Sequence, residues 1–460
     1  MTAGKRRAFA ERRQVVGHSQ DTLARLVGVE PTTAGRWERG ETSPQPWCRP
    51  KLAEALGVSL DELDVMLAEG QPVVDEPPDS AEHQEAREVP LDPEHDPVLV
   101  PDWNHRGTVE VAVVLRGGDR PVKRREFAFL TGMAMTTPAH QWLVHEPEPL
   151  GSGLSGRRVS ATLVDRLRAM IPELRAMDDV AGGGTVLSLA EQEFGVITGL
   201  LDQASYDEST GRALQIALAE LGQLAGWAAY DSGQSGLAQR YYIAALRAAH
   251  SADDRPLGAH ILGLMAYQAA DAGHPGEAVT LVETAVLGVR GRETAGLLTA
   301  LYIRQAKALA SLGDSSGCAA AISKTRTHVE RLKHDDEPPY LYWVGPAEVT
   351  YVAGRCLLQL GKADQAAAML QDGVDLLKES FIRDRTTFSI RLAEALAHPG
   401  PQRDLDAAAG RGIAALDLSQ NLDSTRGTSR LRDLYRQLKP HAKVPAVGDF
   451  LEQARGLVAV

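Results

Sequence analysis

Thr32, Thr33 and Arg36 crowd one side of a predicted helix beginning at Pro31, and their chemistry is that of groups that read base-pair edges. A threonine brings a hydroxyl and a methyl, and an arginine brings a planar fork of N–H donors. The major groove displays acceptors and thymine methyls that match both. Gln20, at the exposed start of the preceding predicted helix, adds an amide that donates and accepts. Elsewhere the residue types of catalysis do not assemble. The 13 histidines show no H-E-x-x-H spacing, no serine stands in a G-x-S-x-G elbow, and Cys48, Cys318 and Cys356 are far apart in sequence. Neither an enzyme nor a cofactor or metal site is expected, and three scattered cysteines suit a reducing cytoplasm.

The elements that must hold the four polar residues are short. Ser19 caps a first helix whose Leu23, Leu26 and Val27 are expected to face inward, with Ala24 small where a second helix crosses. Gly28 supplies the left-handed turn, and Pro31 opens a second helix running to Arg39, with Val29, Ala34 and Trp37 turned back onto the first. Ahead of both, residues 3–16 form a helix made basic by Lys5, Arg6, Arg7, Arg12 and Arg13, some of which are expected to touch phosphates. After them, helices near 46–56 and 59–67 close a small domain, the latter opened by a Ser59-x-x-Glu62 capping box.

Counted from Gln20, apolar residues fall at positions 4, 8, 10, 15 and 18, with alanine at 5 and glycine at 9; WERG-x-x-x-P and LA-x-ALGVS-x-DEL follow. This pattern resembles the XRE (lambda-repressor-like) helix-turn-helix family, except at Ala34, where a larger residue is usual. The resemblance implies a five-helix DNA-binding domain over residues 1–70 that acts as a dimer on double-stranded DNA. It also implies an internal pair between Arg13 and Glu38, and phosphate contacts from Arg39 and Thr42.

The chain's net charge of −12 is unevenly spread: residues 1–56 hold ten Lys/Arg against six Asp/Glu. Phosphate contacts act within a Debye length of roughly 8–10 Å, so the local balance governs. Residues 71–100 carry six prolines and nine acidic residues against one arginine, which predicts an extended acidic linker. Residues 101–159 are a connecting segment in which VEVAVVL (109–115) reads equally as a strand or a buried helix. Arg124-Arg125-x-Phe127 imitates an export signal too far from the N-terminus, and Gly151-x-Gly153-x-x-Gly156 imitates a dinucleotide loop without its strand. Gly182-Gly183-Gly184 reads as a turn, and no apolar run reaches the roughly 18 residues that span a membrane.

From residue 160 to 460 the chain is alanine- and leucine-rich with helical spacing. Gly233, Gly273, Gly313 and Gly361 recur at intervals of 40, 40 and 48 residues. Small residues precede each by seven (Gly226, Ala266, Ala306, Gly354) and follow by five (Ala238, Ala278, Cys318, Ala366) and twelve (Ala245, Ala285, Thr325, Gly373). A looser fifth copy uses Ala395, Ala407 and Ala414, and Leu431–Leu457 reads as two capping helices broken at Pro440 and Pro445. The register resembles tetratricopeptide repeats of longer period, so the expected fold is all-α: the small domain, the acidic linker and a tetratricopeptide-like α-solenoid. End to end, the chain is similar to XRE-type regulators with C-terminal tetratricopeptide repeats of the kind found in GC-rich bacteria. Its architecture also resembles that of peptide-pheromone sensors.

On the inner helices of such an array, Trp227, Tyr230, Asp231, His260, Tyr267, Asp271, Lys307, Glu348, Tyr351 and Arg355 interrupt alanine-rich sequence. They read either as a groove for a peptide, small molecule or protein, or as groups that satisfy one another. Tyr342 and Trp343 read as packing between repeats, and Asp178-Asp179 as a helix end. The expected function is a cytoplasmic, dimeric, sequence-specific transcriptional regulator with a sensing domain. The alternative is an interaction scaffold whose helix-turn-helix only docks.

Overall fold

The computed structural model describes residues 6–29, 31–39, 44, 48–59, 62–63, 66–67, 96–116, 129–148, 156–401 and 403–458. Thr42, Trp47, residues 71–95, the Arg124-Arg125 motif and residues 151–155 lie outside them. The chain falls into two units, residues 1–87 and 88–460. Both are all-α among the described residues, where one bridge between Arg158 and Ser205 is the sole extended pairing.

In the first unit α1 (Arg7–Val15), α2 (Gln20–Val27), α3 (Pro31–Glu38) and α4 (Arg49–Leu56) enclose Phe9, Leu23, Val27, Trp37 and Leu52. Further helical residues at 62–63 and 66–67 add Leu63 and Leu67 to that core. Ser19 Oγ accepts the Thr22 N–H at 3.0 Å, and Gly28 takes φ +85° to turn the chain into α3. Ser59 and Glu62 cap one another as a box: the Glu62 carboxylate accepts the Ser59 N–H at 2.8 Å, and Ser59 Oγ accepts the Glu62 N–H at 3.2 Å. Leu26 departs from expectation, being 52% exposed. At 100° per residue, Leu23, Ala24 and Val27 define the core face and Leu26 falls on its far flank.

The second unit begins with helices where the sequence was ambiguous. Residues 109–115 belong to α5 (His105–Arg116), which buries Val111 and Ala112, and α6 (Gly132–Val144) follows. Trp142 on α6 is fully buried in a hole left by two glycines: a Cβ at Gly258 or Gly288 would come within 2.3 Å or 2.2 Å of its ring. Arg247 donates to the Pro101 and Asp102 carbonyls at 2.5 and 2.8 Å and lies over Trp103, fixing the start of the segment.

Six helix pairs then stack in chain order: α7 (Ala161–Ala181) with α8 (Gly183–Gln203), α9 (Glu208–Asp231) with α10 (Ser235–Ser251), and α11 (Arg255–Asp271) with α12 (Pro275–Gly288). They continue as α13 (Ala295–Ser311) with α14 (Ser315–Val329), α15 (Pro346–Gln359) with α16 (Ala363–Leu376), and α17 (Ile382–Ala397) with α18 (Leu405–Ser419). The turn glycines at 233, 273, 313 and 361 have φ between +75° and +84°, a conformation with a steric cost for other residues. Seven residues before the turn, a Cβ at Gly226 would stand 2.6 Å from the Tyr242 ring, and one at Gly354 2.8 Å from Leu370 Cγ. In the fifth copy, Ala408 and Ala415 are buried rather than Ala407 and Ala414. The chain between α17 and α18 is longer than the three-residue glycine turns, so no turn fixes that register.

The array closes on itself through α19 (Thr425–Leu438), which begins earlier than the sequence indicated and is followed by α20 (Pro445–Gln453) and α21 (Arg455–Val458). α19 packs on α17 and α18 but also on α9, and α17 packs on α7. The Asp423 backbone exchanges hydrogen bonds with Ala181 and Gly184 at 2.8 and 2.9 Å. The expected turn at 182–184 shrinks to Gly182, with φ +83°, since Gly183 and Gly184 already open α8; all three serve this approach, because a Cβ on any of them would come within 2.8 Å of residues 228–231 or Asp423.

Glycine therefore plays two opposite parts, and stability measurements separate them. Gly354→Ala is expected to lower stability by about 1–3 kcal/mol through overpacking against the Leu370 backbone. Gly410→Ala, mid-helix in open space, is expected to raise it by about 0.5–1 kcal/mol. Chemical denaturation of the two variants checks both signs.

Candidate functional sites: a nucleic-acid interface and a polar cavity

The first unit turns Thr32 and Arg36 outward from α3, with Thr33 half-buried beside them. What fixes α3 against α2 is the Glu38 carboxylate at its end. One oxygen pairs with Arg13 from α1, and the other accepts the Gln20 amide N–H at 2.6 Å. Gly35 makes room for this, because a Cβ there would lie 3.1 Å from both Gln20 Oε1 and Arg39 Nη1. Gln20 is thus held at one end of its amide, next to the exposed Arg39.

The structure gives Arg6, Arg12 and Arg13 of the expected first helix internal partners, while the side chains of Lys5 and Arg7 lie outside the described residues. Arg6 is buried and donates to the Trp37 carbonyl at 3.1 Å, while Arg12 donates to the Leu56 and Gly57 carbonyls at 2.8 and 2.7 Å. With Arg13 on Glu38, these three guanidiniums satisfy groups at the C-terminal ends of α3 and α4, where helix carbonyls lack partners. These three side chains hold the domain together.

Residues 6–66 match the family model described as a helix-turn-helix domain, so the chain carries a helix-turn-helix DNA-binding domain at its N-terminal end. No curated protein matches the chain. Among the described residues, no helix is long and apolar enough to cross a membrane.

The second unit holds a cavity of about 90 Å³, room for several waters or one small molecule. Of the ten residues singled out on the inner helices, Trp227, His260, Tyr267, Glu348 and Tyr351 line it. The other five form a polar network at its side. Asp271 Oδ1 receives Lys307 Nζ at 2.6 Å and Arg355 Nη2 at 2.8 Å, and its Oδ2 accepts the Tyr230 hydroxyl at 2.5 Å. Asp231 is held by Arg426 at 3.1 Å and by the Gly183 N–H at 3.2 Å. Both readings of the inner face therefore apply, to different residues. Asp271 and Arg355 also line a second, open depression.

Several lining residues were not singled out from the sequence. Arg304, on α13, lies over the rings of Tyr267 and Trp343 at 4.5 and 5.0 Å. Its place one turn before Lys307, on the same face, was a usable signal. Arg383 pairs with Asp178 and Asp179 across more than 200 residues of sequence, so that doublet is an ion-pair partner buried in the array and not merely a helix end. Tyr342 and Trp343 also line the cavity; Trp343 Nε1 is held on the Tyr340 carbonyl at 3.1 Å, and the Tyr342 hydroxyl donates to Asp179 at 2.8 Å. Nothing in a single sequence announces pairings of that range.

The interior sets the charge states. Burial, with the Arg304 and Arg175 charges, pushes His260 down to about 3, so it is neutral. Burial would raise the Asp271 carboxyl, but Lys307, Arg355 and Arg430 outweigh it and hold the group well below the ordinary range. Glu348 goes the other way: burial and the Asp384 carboxylate outweigh Arg304, Arg355 and Arg426 and push it up to about 7.

Two measurements follow. Glu38→Gln removes the charge that Arg13 requires, and a loss of about 2–4 kcal/mol of first-unit stability in chemical denaturation is expected. For Glu348, the folded protein keeps a proton that the unfolded chain releases near the ordinary carboxyl value. Stability from this group is full below about pH 4.5, falls as pH rises towards about 7, and is constant above. Glu348→Gln should therefore raise Tm at about pH 8 and leave it unchanged at about pH 4; a uniform effect at both values contradicts the assignment.

Proposed function

We propose that this protein is a sequence-specific, dimeric transcriptional regulator whose closed helical array binds an effector. The observation that carries the reading is the outward face of α3 on a matched helix-turn-helix domain. Thr32 and Arg36 stand free of the core there, beside Thr33, Gln20 and Arg39. In this reading Thr32, Thr33, Arg36 and the free end of Gln20 contact bases, while Arg39 and Thr42 hold the phosphate backbone. Two copies would bind half-sites separated by about one helical turn or a multiple of it. The array resembles tetratricopeptide repeats in its period of glycine turns and small residues, and its polar cavity supports an effector site. An effector changes DNA binding only by favouring one arrangement of the dimer over another.

The test is selection of genomic DNA fragments by purified full-length protein at two salt concentrations. A short palindromic motif, with affinity falling steeply as salt rises, is expected. Arg36→Ala should keep its fold and lose about 1–3 kcal/mol of discrimination at one base position. Unchanged operator preference in that variant rejects the base-reading role. Indifference to DNA, with or without effector, favours the scaffold.

A further inference from the structure

The charges that face the cavity are unevenly divided. Around Arg383 stand four carboxylates, Asp178, Asp179 and Asp384 within 4 Å of its guanidinium and Glu348 next to Asp384. Around Tyr267 the imbalance reverses. Its hydroxyl accepts from Arg355 at 3.1 Å and Arg426 at 3.2 Å, its ring carries Arg304 and Lys307, and Arg430 stands 3.8 Å from Asp271. Five cations there meet two carboxylates, Asp231 and Asp271.

Two groups are left over, one of each sign. Arg304 is 6% exposed and, among the described residues, has no hydrogen bond and no carboxylate partner. Its guanidinium lies against the rings of Tyr267 and Trp343, contacts that leave its N–H groups without an acceptor. Glu348 makes no hydrogen bond or ion pair among the described residues and lines the same cavity. Arg304 is buried and Glu348 half-buried, and although the Arg304 charge acts on Glu348, neither has a hydrogen-bonded counter-ion among the described residues, which is costly for a desolvated charge.

Their levels are offset. Glu348 stands thirteen residues before the turn glycine Gly361, and Arg304 nine before the equivalent Gly313. On adjacent stacked helices, four residues of register amount to about 6 Å of helix rise. A molecule holding an ammonium and a carboxylate on neighbouring atoms spans that offset with one hydrogen bond at each end. Gln223, whose Oε1 is buried without a partner, offers a third contact, and Trp227, Tyr340 and Phe388 supply apolar wall.

We propose that the cavity binds a free amino acid, its carboxylate on the Arg304 guanidinium and its ammonium on Glu348. This rests on the effector-binding reading above and narrows it to a small zwitterion, whose two charges match the two groups of opposite sign that face the cavity.

The experiment uses the full chain without DNA, so it stands or fails separately from operator binding. Each of the twenty standard amino acids is added in excess, and Tm is followed. At least one is expected to raise it by about 2–3 °C. Calorimetric titration then compares that amino acid with its decarboxylated amine and its N-acetyl derivative, each expected to bind roughly 10- to 100-fold more weakly. Arg304→Gln should abolish the preference over the amine, and Glu348→Gln the preference over the N-acetyl form. Glu348→Gln removes a carboxylate that burial already disfavours, so it folds and keeps the test open should Arg304→Gln not fold. A panel without any shift overturns the proposal. So does equal binding of the singly charged analogues, or wild-type preference in Glu348→Gln.

Discussion

A charged side chain removed from water must meet its counter-charge inside the protein, and the second unit is arranged around that requirement. Asp178 and Asp179 near the end of α7 have their cation on α17, and Asp231 at the end of α9 has its cation on α19. Neither pair can be satisfied by neighbours in the stack. The last helices must come back to the first, and the backbone exchange between Asp423 and the 181–184 turn marks where they meet. Breaking one partner of a buried pair costs several kcal/mol, far more than an alanine-rich contact of the same size contributes. Packing of small residues sets the spacing of the pairs, and charge sets where the array ends.

The same logic governs the first unit on a smaller scale. Its α-helices are eight or nine residues long, too short to stand alone. The C-terminal carbonyls of α3 and α4 accept from Arg6, just ahead of α1, and from Arg12 on it, and the α2–α3 angle is held by Glu38 through Arg13 and Gln20. Arginine is suited to this because one planar fork bonds two carbonyls or a carboxylate at once. The outward side chains of α3 thus inherit their geometry from ion pairs behind them.

Local features were legible in the sequence because local physics fixes them. The Ser19 cap, the Gly28 turn, the Ser59–Glu62 box and the four turn glycines each depend on a few adjacent residues, and each stands where the pattern put it. Leu26 was misplaced because apolar character was followed beyond what 100° per residue allows on so short a helix. The 109–115 run was ambiguous because alternation and burial predict the same residues in a strand and in a packed helix. The candidate cavity was half legible. Polar residues interrupting alanine-rich helices marked the inner face, but which of them line space and which pair with one another depends on contacts across 80 to 200 residues.

Closure also bears on how such an array could transmit a signal. An open stack of helix pairs bends by small increments at each interface, so a ligand at one end changes little at the other. A ring fastened by a few buried ion pairs has a sharper choice, because those pairs are either made in the interior or separated and hydrated. In the reading proposed here, the effector sits between α13 and α15, close to the charges that fasten α17 and α19. Neutralising Arg304 and Glu348 removes unpaired charge from the closed form, whereas in an opened form water already solvates both. The binding energy therefore differs between the two arrangements, which is the condition for any ligand to shift an equilibrium between them.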